Sequence, residues 1–303
     1  MRIIKVTTLA CAVLLASGCT MAPKYERPEA PVAQTFPSGD AYADVEKTAA
    51  PLPLWEDFIT NPTARQVVRL ALENNRDLRV ALFNVEKAYA AYGIQRAQLL
   101  PSVAGGLNET AGRTPRSVSA TGSGYVSHTY QANLSSTAWE LDLFGRVRSL
   151  SEAALQSYFA VEENRSAAQN TLIASVANAW INLGAQKELL RLQKITLESQ
   201  EKSYKLMEQS HRLGASSLLE LEQAKTTVAT ARAAVASYER TVAQARNALN
   251  LLVGADVPAM LEPEKLEDAT NFGAIAPEGL SSDILLNRPD IRAAENNLKA
   301  ANA

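Results

Sequence analysis

The sequence is short of the residues that most site chemistry requires. It has two Cys and two His among 303 residues, so no Cys/His zinc cluster can be assembled. It has no basic excess. Lys+Arg 30 stands against Asp+Glu 32, a net charge of -2, and this excludes the electrostatic footprint of a nucleic-acid binder. After residue 20 no run of 18 apolar residues occurs, so no transmembrane helix is expected. A spanning β-structure is not excluded, because its signal per strand is much weaker. No nucleophile, base and orienter can be grouped and no Gly-rich phosphate loop is present, so an enzyme is the weakest reading, and no cofactor or metal is expected. What the chain does have is 47% hydrophobic residues, enough for a sizeable core.

The N-terminus reads as an address. Arg2 and Lys5 form a positive start, and the apolar run from Val6 to Leu15 is too short to span a membrane. Leu15-Ala16-Ser17-Gly18-Cys19 then resembles a bacterial lipoprotein signal, with Ala16 where Leu is usual. On that reading residues 1–18 are removed, and Cys19 is lipidated and becomes the new N-terminus. The alternative is an ordinary signal peptide cut after Gly18. Thr20 in place of an Asp favours the outer membrane. Cys11 lies in the part removed, so the mature chain has no Cys pair for a disulfide. Residues 19–62 are Pro-rich and aperiodic, an extended N-terminal segment that Trp55 and Phe58 pin to the body.

The body predicts a mainly α protein with one β-hairpin. A helix is expected over 63–100, stopped by Pro101, with Leu70, Asn74, Asp77, Ala81, Asn84 and Ala88 along one stripe. Strands are expected at about 102–115 and 125–143, joined by a polar loop at Ser117–Gly124. In the second strand Val126, His128, Tyr130, Ala132 and Leu134 alternate with Ser127, Thr129, Gln131, Asn133 and Ser135. One face is mostly apolar and the other polar and uncharged, which suits a barrel wall between lipid and a wet bore.

Residues 146–211 then form one helical run, about 100 Å long at 1.5 Å per residue. Val176, Leu183, Leu190, Leu197 and Tyr204 repeat every seven residues. Gly214 breaks the run, Ser216 or Ser217 caps the next helix, and 217–252 returns. In that helix Leu221, Val228, Val235, Val242 and Leu249 take one heptad position, and Ala224, Ala231, Tyr238, Ala245 and Leu252 the other. A 3.5 period implies a long antiparallel, left-handed hairpin, the stave of an α-barrel. Lys187, Glu188, Arg191, Lys194, Glu198, Glu201 and Lys202 read as its solvated face. His128 and His211 are isolated in sequence, so neither is assigned a metal.

A shift of 213 residues aligns 72–90 with 285–303, with eight identities in nineteen positions. The Leu-x-Asn-x-x-Asp-x-Arg framework (Leu72, Asn74, Asp77, Arg79; Leu285, Asn287, Asp290, Arg292) carries the match, since alanine pairs count for little. Residues 63–270 are thus read as one repeat and 271–303 as the start of a second. From Gly254, the same offset would end a finished copy near residue 467, so the expectation is an N-terminal piece of a longer protein.

Three further motifs join the lipoprotein-like start: Trp139-Glu140-Leu141-Asp142-Leu143-Phe144-Gly145-Arg146 between strand and helix, Arg212-Leu213-Gly214 with Ser217 at the hairpin tip, and Asn287-Arg288-Pro289-Asp290-Ile291. Together they resemble the TolC/OprM family of outer-membrane efflux proteins, in its lipoprotein branch. The resemblance implies a homotrimer with a shared twelve-stranded barrel and a helical tunnel in the periplasm. It also implies docking on a periplasmic adaptor (membrane-fusion) protein and an inner-membrane pump, often of the resistance–nodulation–division type. Arg212, Leu213, Gly214, Ser216 and Ser217 would then touch the adaptor. Trp139, Glu140, Asp142, Phe144, Gly145 and Arg146 would form the barrel-to-helix junction. Glu140 and Asp142 are read either as lumen-wall carboxylates or, ahead of that, as caps of the following helix. Two rivals are a periplasmic adaptor lipoprotein and a structural coiled-coil lipoprotein. The first should show β segments flanking the hairpin, where 63–100 reads as helical; the alternating strand argues against the second.

Overall fold

The computed structural model describes residues 22–29, 54–136, 139–266 and 282–303. The expected signal peptide, Cys19 and most of the Pro-rich segment therefore lie outside the described residues. The chain divides into two compact units. One holds Glu86–Val161 with both chain ends, and the other holds Glu29–Val85 and Glu162–Ala293.

The second unit contains the core. Helix α1 (Trp55–Phe58) is a single turn. Helix α2 (Pro62–Asn74) starts where Asn61 Oδ1 accepts the amides of Thr63 and Ala64, with Pro62 at the first helical position. Its buried face of Val67, Val68 and Ala71 joins Leu172, Val176, Trp180 and Leu183 with Leu249 and Val253. The Trp180 indole N–H donates to the carbonyl of Leu261 at 2.8 Å, so this large side chain is buried with its polar atom satisfied. The N-terminal segment is pinned here by Trp55 and the fully buried Ile59, while Phe58, expected as a pin, stays 48% exposed.

The single helix expected over 63–100 is two helices, α2 and α3 (Arg76–Ala97). Between them Asn75 is extended, and its buried side chain explains the break. The amide donates to the carbonyl of Leu252 at 2.7 Å, and the oxygen accepts the Leu78 amide at 2.8 Å. The Ala/Asn stripe of α3 has no fully buried residue.

Helices α4 (Arg146–Arg212) and α5 (Leu218–Val253) form the long hairpin. All ten heptad positions read from α5 are buried or half-buried, and so are the five of α4. Gly254 ends α5 at φ 79°, and a Cβ there would lie 2.6 Å from the Asn74 carbonyl oxygen. Both the left-handed backbone and the close approach of α2 require glycine. Helix α6 (Pro289–Asn302) begins 213 residues after α3, the same offset that aligns the two sequences.

In the first unit, β1 (Val103–Thr114) and β2 (Tyr125–Ser136) pair antiparallel, Val103 opposite Ser136 and Thr114 opposite Tyr125. The second strand stops at Ser136, short of the expected 143. Residues 139–145 are not strand, because Glu140 and Asp142 are drawn to the start of α4. The chain start also straps α6. Arg27 forks onto Glu295 at 3.0 and 2.5 Å, Lys299 lies 5.5 Å over the Tyr25 ring, and Asn302 donates to the Pro23 carbonyl. Among the described residues no helix is long and apolar enough to cross a membrane.

Candidate functional site

Three places carry the sequence-predicted site residues: the strand hairpin, the junction after it, and the helical tip. The register of the strands decides what each face of the hairpin presents. One face joins Thr110, Asn108 and Gly106 to Thr129, Gln131 and Asn133, and it is largely polar and carries no Asp, Glu, Lys, Arg or His along its whole length. Asn133 Oδ1 crosses over Gly106, 2.4 Å from where a Cβ would stand, so a side chain there would first have to turn the Asn133 amide aside. The other face carries Val103, Leu107, Tyr130 and Leu134, all well exposed. Twelve residues per strand reach roughly 40 Å, longer than the ~9–11 residues a tilted membrane strand needs. His128 is not isolated in space: its Nδ1 lies 2.9 Å from Glu109 Oε1, and its ring stacks 6.4 Å from Tyr130.

The junction is built by the helix start. The first amides of α4 have no partner within the helix, and Asp142 accepts two of them, Val147 N–H at 3.2 Å and Arg148 N–H at 2.9 Å. The Arg148 guanidinium closes on the same carboxylate. Glu140 makes no cap and instead forks onto Arg146. Gly145, at φ 84°, turns the chain into the helix. Trp139 and Phe144 stay exposed, at 44% and 73%.

At the tip, the Ala215 amide donates back to the Ser210 carbonyl at 2.9 Å, and Gly214 sits at φ 74°. Ser217 is the N-cap of α5. Its hydroxyl accepts the Glu220 amide, and the Glu220 carboxylate accepts the Ser217 amide at 2.7 Å. That N–H and the Ser217 hydroxyl hold the Glu220 carboxyl below its usual range. Ser216 faces inward, its carbonyl accepting from His211 Nδ1 at 2.8 Å, so His211 is a tip brace. Arg212 and Leu213 are exposed, Leu213 at 84%. Leu218 and Leu219, also exposed, extend that apolar tip and were missed. Two leucines directly after an N-cap, before the heptad begins at Leu221, were the available signal.

Lys187 corrects the expectation of a solvated face. Its Nζ lies 2.7 Å from Glu262 Oε2 and donates to the Pro263 carbonyl at 3.1 Å. Arg246 reaches the same carboxylate at 2.7 Å. Burial pushes the Glu262 carboxyl up, but hydrogen bonds from Arg246 and Lys187 outweigh it and hold the group below the usual range. This clasp ties the segment after α5 to both long helices. Sequence spacing could not find it, because Glu262 is 75 residues from Lys187. The other charges of the run form surface pairs, Lys194 with Glu239 and Glu201 with Arg232 across the hairpin. Among the described residues no group of three or more His, Cys, Asp or Glu is placed to hold a metal ion.

Comparison with known proteins agrees with this geometry. Residues 67–255 match the family described as outer membrane efflux protein. The chain is 43% identical over 298 residues to the probable efflux pump outer membrane protein TtgC of Pseudomonas putida, covering 98% of this chain and 61% of the relative. It is 40% identical over 298 residues to the outer membrane protein OprJ of Pseudomonas aeruginosa, covering 98% and 62%. The crystal structure of the open state of the Neisseria gonorrhoeae MtrE outer membrane channel superposes with a TM-score of 0.70 at 37% identity, over 94% of this chain and 62% of that one. The chain thus spans about three fifths of the length of the curated relatives it matches. With the family match covering well over half of its residues, the chain belongs to the outer membrane efflux protein family.

Proposed function

We propose that this protein is the outer-membrane channel component of a tripartite efflux or export system, a passive duct for drugs or other small molecules. One observation carries the reading: a strand hairpin with one uncharged, largely polar face and one face that is apolar in its helix-side half precedes a two-helix hairpin in the same chain. Among the described residues, both outer edges of the two-stranded sheet are unpaired. A sheet in hydrocarbon must close, because each unpaired backbone group costs several kcal/mol. Closure therefore needs further strands: in a homotrimer sharing one twelve-stranded barrel, three copies of this hairpin supply six, and a second strand pair from each full-length chain supplies the rest. Its polar faces line the bore and its apolar faces meet outer-membrane lipid. The work of transport belongs to the partners, an inner-membrane pump of the resistance–nodulation–division type and a periplasmic adaptor. The exposed tip, Arg212, Leu213 and Gly214 with Ser216 and Ser217 beneath, is the adaptor contact. Cys19 is the lipid anchor, and the stem lies in the periplasm. No catalytic step is assigned to any residue.

The decisive experiment is planar-bilayer conductance of the purified full-length protein together with drug accumulation in a strain lacking it. Pore currents and raised accumulation are expected; no current and unchanged accumulation would refute the proposal. Gly214→Pro should abolish cross-linking to the adaptor while outer-membrane location survives. Labelled palmitate should enter the wild type and not Cys19→Ser.

A further inference from the structure

The apolar face of the strand hairpin changes character halfway along. Near the helices, Val103, Gly105 and Leu107 stand opposite Ser136, Leu134 and Ala132, and none of the six is ionisable. Toward the loop the same face carries Glu109, His128 and Arg113. The opposite face carries no charged residue in either half. The outer half of one face therefore holds every charge of the hairpin strands.

A barrel's apolar band is about 25 Å tall, and its strands tilt by roughly 40°. The six successive strand positions from Val103 to Asn108, at about 3.3 Å each, then cover only roughly 15 Å of that height. The remainder has two places to lie. On the loop side the face continues with a Glu109–His128 pair, both side chains about half exposed, and with Arg113, whose side chain makes no hydrogen bond or ion pair among the described residues. On the helix side, exposed apolar residues continue in the same unit: Leu100 at 71%, Trp139 at 44%, Leu141 at 65% and Phe144 at 73%. Charges at mid-bilayer cost about 2–4 kcal/mol, and near the interface almost nothing. Aromatic rings favour the interface itself. Tyr130 sits on the rung where the charges begin, opposite Glu109.

We infer that the acyl-chain layer ends at the Glu109–Tyr130 rung, and that the outer half of this face stands in the phosphate-bearing headgroup layer of the outer leaflet, with Arg113 as its phosphate contact. The hydrocarbon belt is correspondingly displaced toward the helices, to the level of Leu100 and Phe144. This inference rests on the outer-membrane reading.

The test places one spin label at a time on the whole protein reconstituted in phospholipid vesicles, at Leu107→Cys, Leu134→Cys, Ala111→Cys and Val126→Cys. Relaxation by oxygen reports acyl chains, and relaxation by a water-soluble nickel complex reports the headgroup layer and water. Labels at 107 and 134 should respond to oxygen, and labels at 111 and 126 to nickel. Oxygen dominating at all four would overturn the inference while leaving the membrane reading intact. Nickel dominating at all four would remove the hairpin from the membrane altogether. In a second measurement, Arg113→Gln should lower insertion into phosphatidylglycerol vesicles about fivefold relative to phosphatidylcholine. Unchanged insertion into both lipids, each of which carries a phosphate, would exclude Arg113 as a phosphate contact.

Discussion

In the helical unit Val176, Trp180, Leu183 and Leu249 are shielded by the chain's own residues, whereas in the strand hairpin Leu107, Tyr130 and Leu134 are 74–89% exposed. The same kinds of side chain are thus handled in two ways. The helical unit carries its own solvent-excluding core, built from α2, the middle of α4 and the end of α5. The hairpin has no interior: its pairing is internal, but both faces are addressed to surroundings outside the chain. Stability in the first region depends on packing, and in the second on what covers it.

The largest test of that difference is Trp180→Ala. It removes a fully buried ring and leaves the Leu261 carbonyl without its donor. A loss of roughly 3–5 kcal/mol is expected, read as a lower thermal midpoint of the helical circular-dichroism signal. Tyr130→Ala, on the open face of the hairpin, should leave that midpoint unmoved. Equal shifts from both would erase the distinction between the regions.

Gly254→Ala comes next. The residue is left-handed, and a Cβ would press on the Asn74 backbone. Roughly 2–4 kcal/mol is expected, from conformational strain and forced displacement of α2 together. Gly214→Ala makes the contrast, since that glycine is equally left-handed but has open space around it. Its cost should be about 1 kcal/mol, so unfolding midpoints in urea that fell equally would show that contact with α2 adds nothing.

Glu262→Gln tests the buried clasp. Lys187 and Arg246 keep partial access to water, so the loss is smaller than for a sealed ion pair, roughly 1–3 kcal/mol. The pH dependence has a definite sign. The folded carboxyl titrates below its unfolded value, so its contribution is complete above about pH 5 and fades as pH falls through the depressed folded value. The urea midpoint of the wild type should therefore fall more steeply on acidification than that of Glu262→Gln. Parallel curves would mean that the clasp contributes nothing.

What the sequence made legible follows the same division. Long-period features were readable: the heptads of α4 and α5, the Gly214 and Gly254 stops, and the strand alternation through Ser135 depend on neighbours close in the chain. The break at Asn75 was not readable, because an Asn inside a good helical pattern looks harmless until Leu252, 177 residues away, offers its carbonyl. Lys187 was misread for the same reason, its partner lying beyond the return helix. The strand end at Ser136 was overrun because Trp139, Leu141 and Leu143 alternate, out of phase with the strand, with Glu140 and Asp142, whereas Asp142 is claimed by the amides of α4. In the hairpin the alternation was visible but the division of its outward face was not, since Glu109 and Arg113 fall on that face only once β1 is registered against β2.

The smallest effect belongs to the tip, where the helical unit comes closest to the hairpin's condition: local hydrogen bonds hold its shape, and apolar side chains lie open. Ser217→Ala deletes the hydroxyl that accepts the Glu220 amide, but the Glu220 carboxylate still holds the Ser217 amide. About 1 kcal/mol is the usual cost of losing an N-cap, and with half of the box surviving the value should fall at or below that. Global unfolding will barely register it, because the first turn of α5 opens without the core around Trp180 following. Hydrogen exchange will register it. The amides of Leu218 through Leu221 should exchange roughly fivefold faster, while those of Val242 through Val253 stay unchanged. If the acceleration instead spreads along α5 to Leu249, tip and core are one cooperative unit, and the contrast between a self-sufficient interior and environment-dependent surfaces must be drawn at the strands alone.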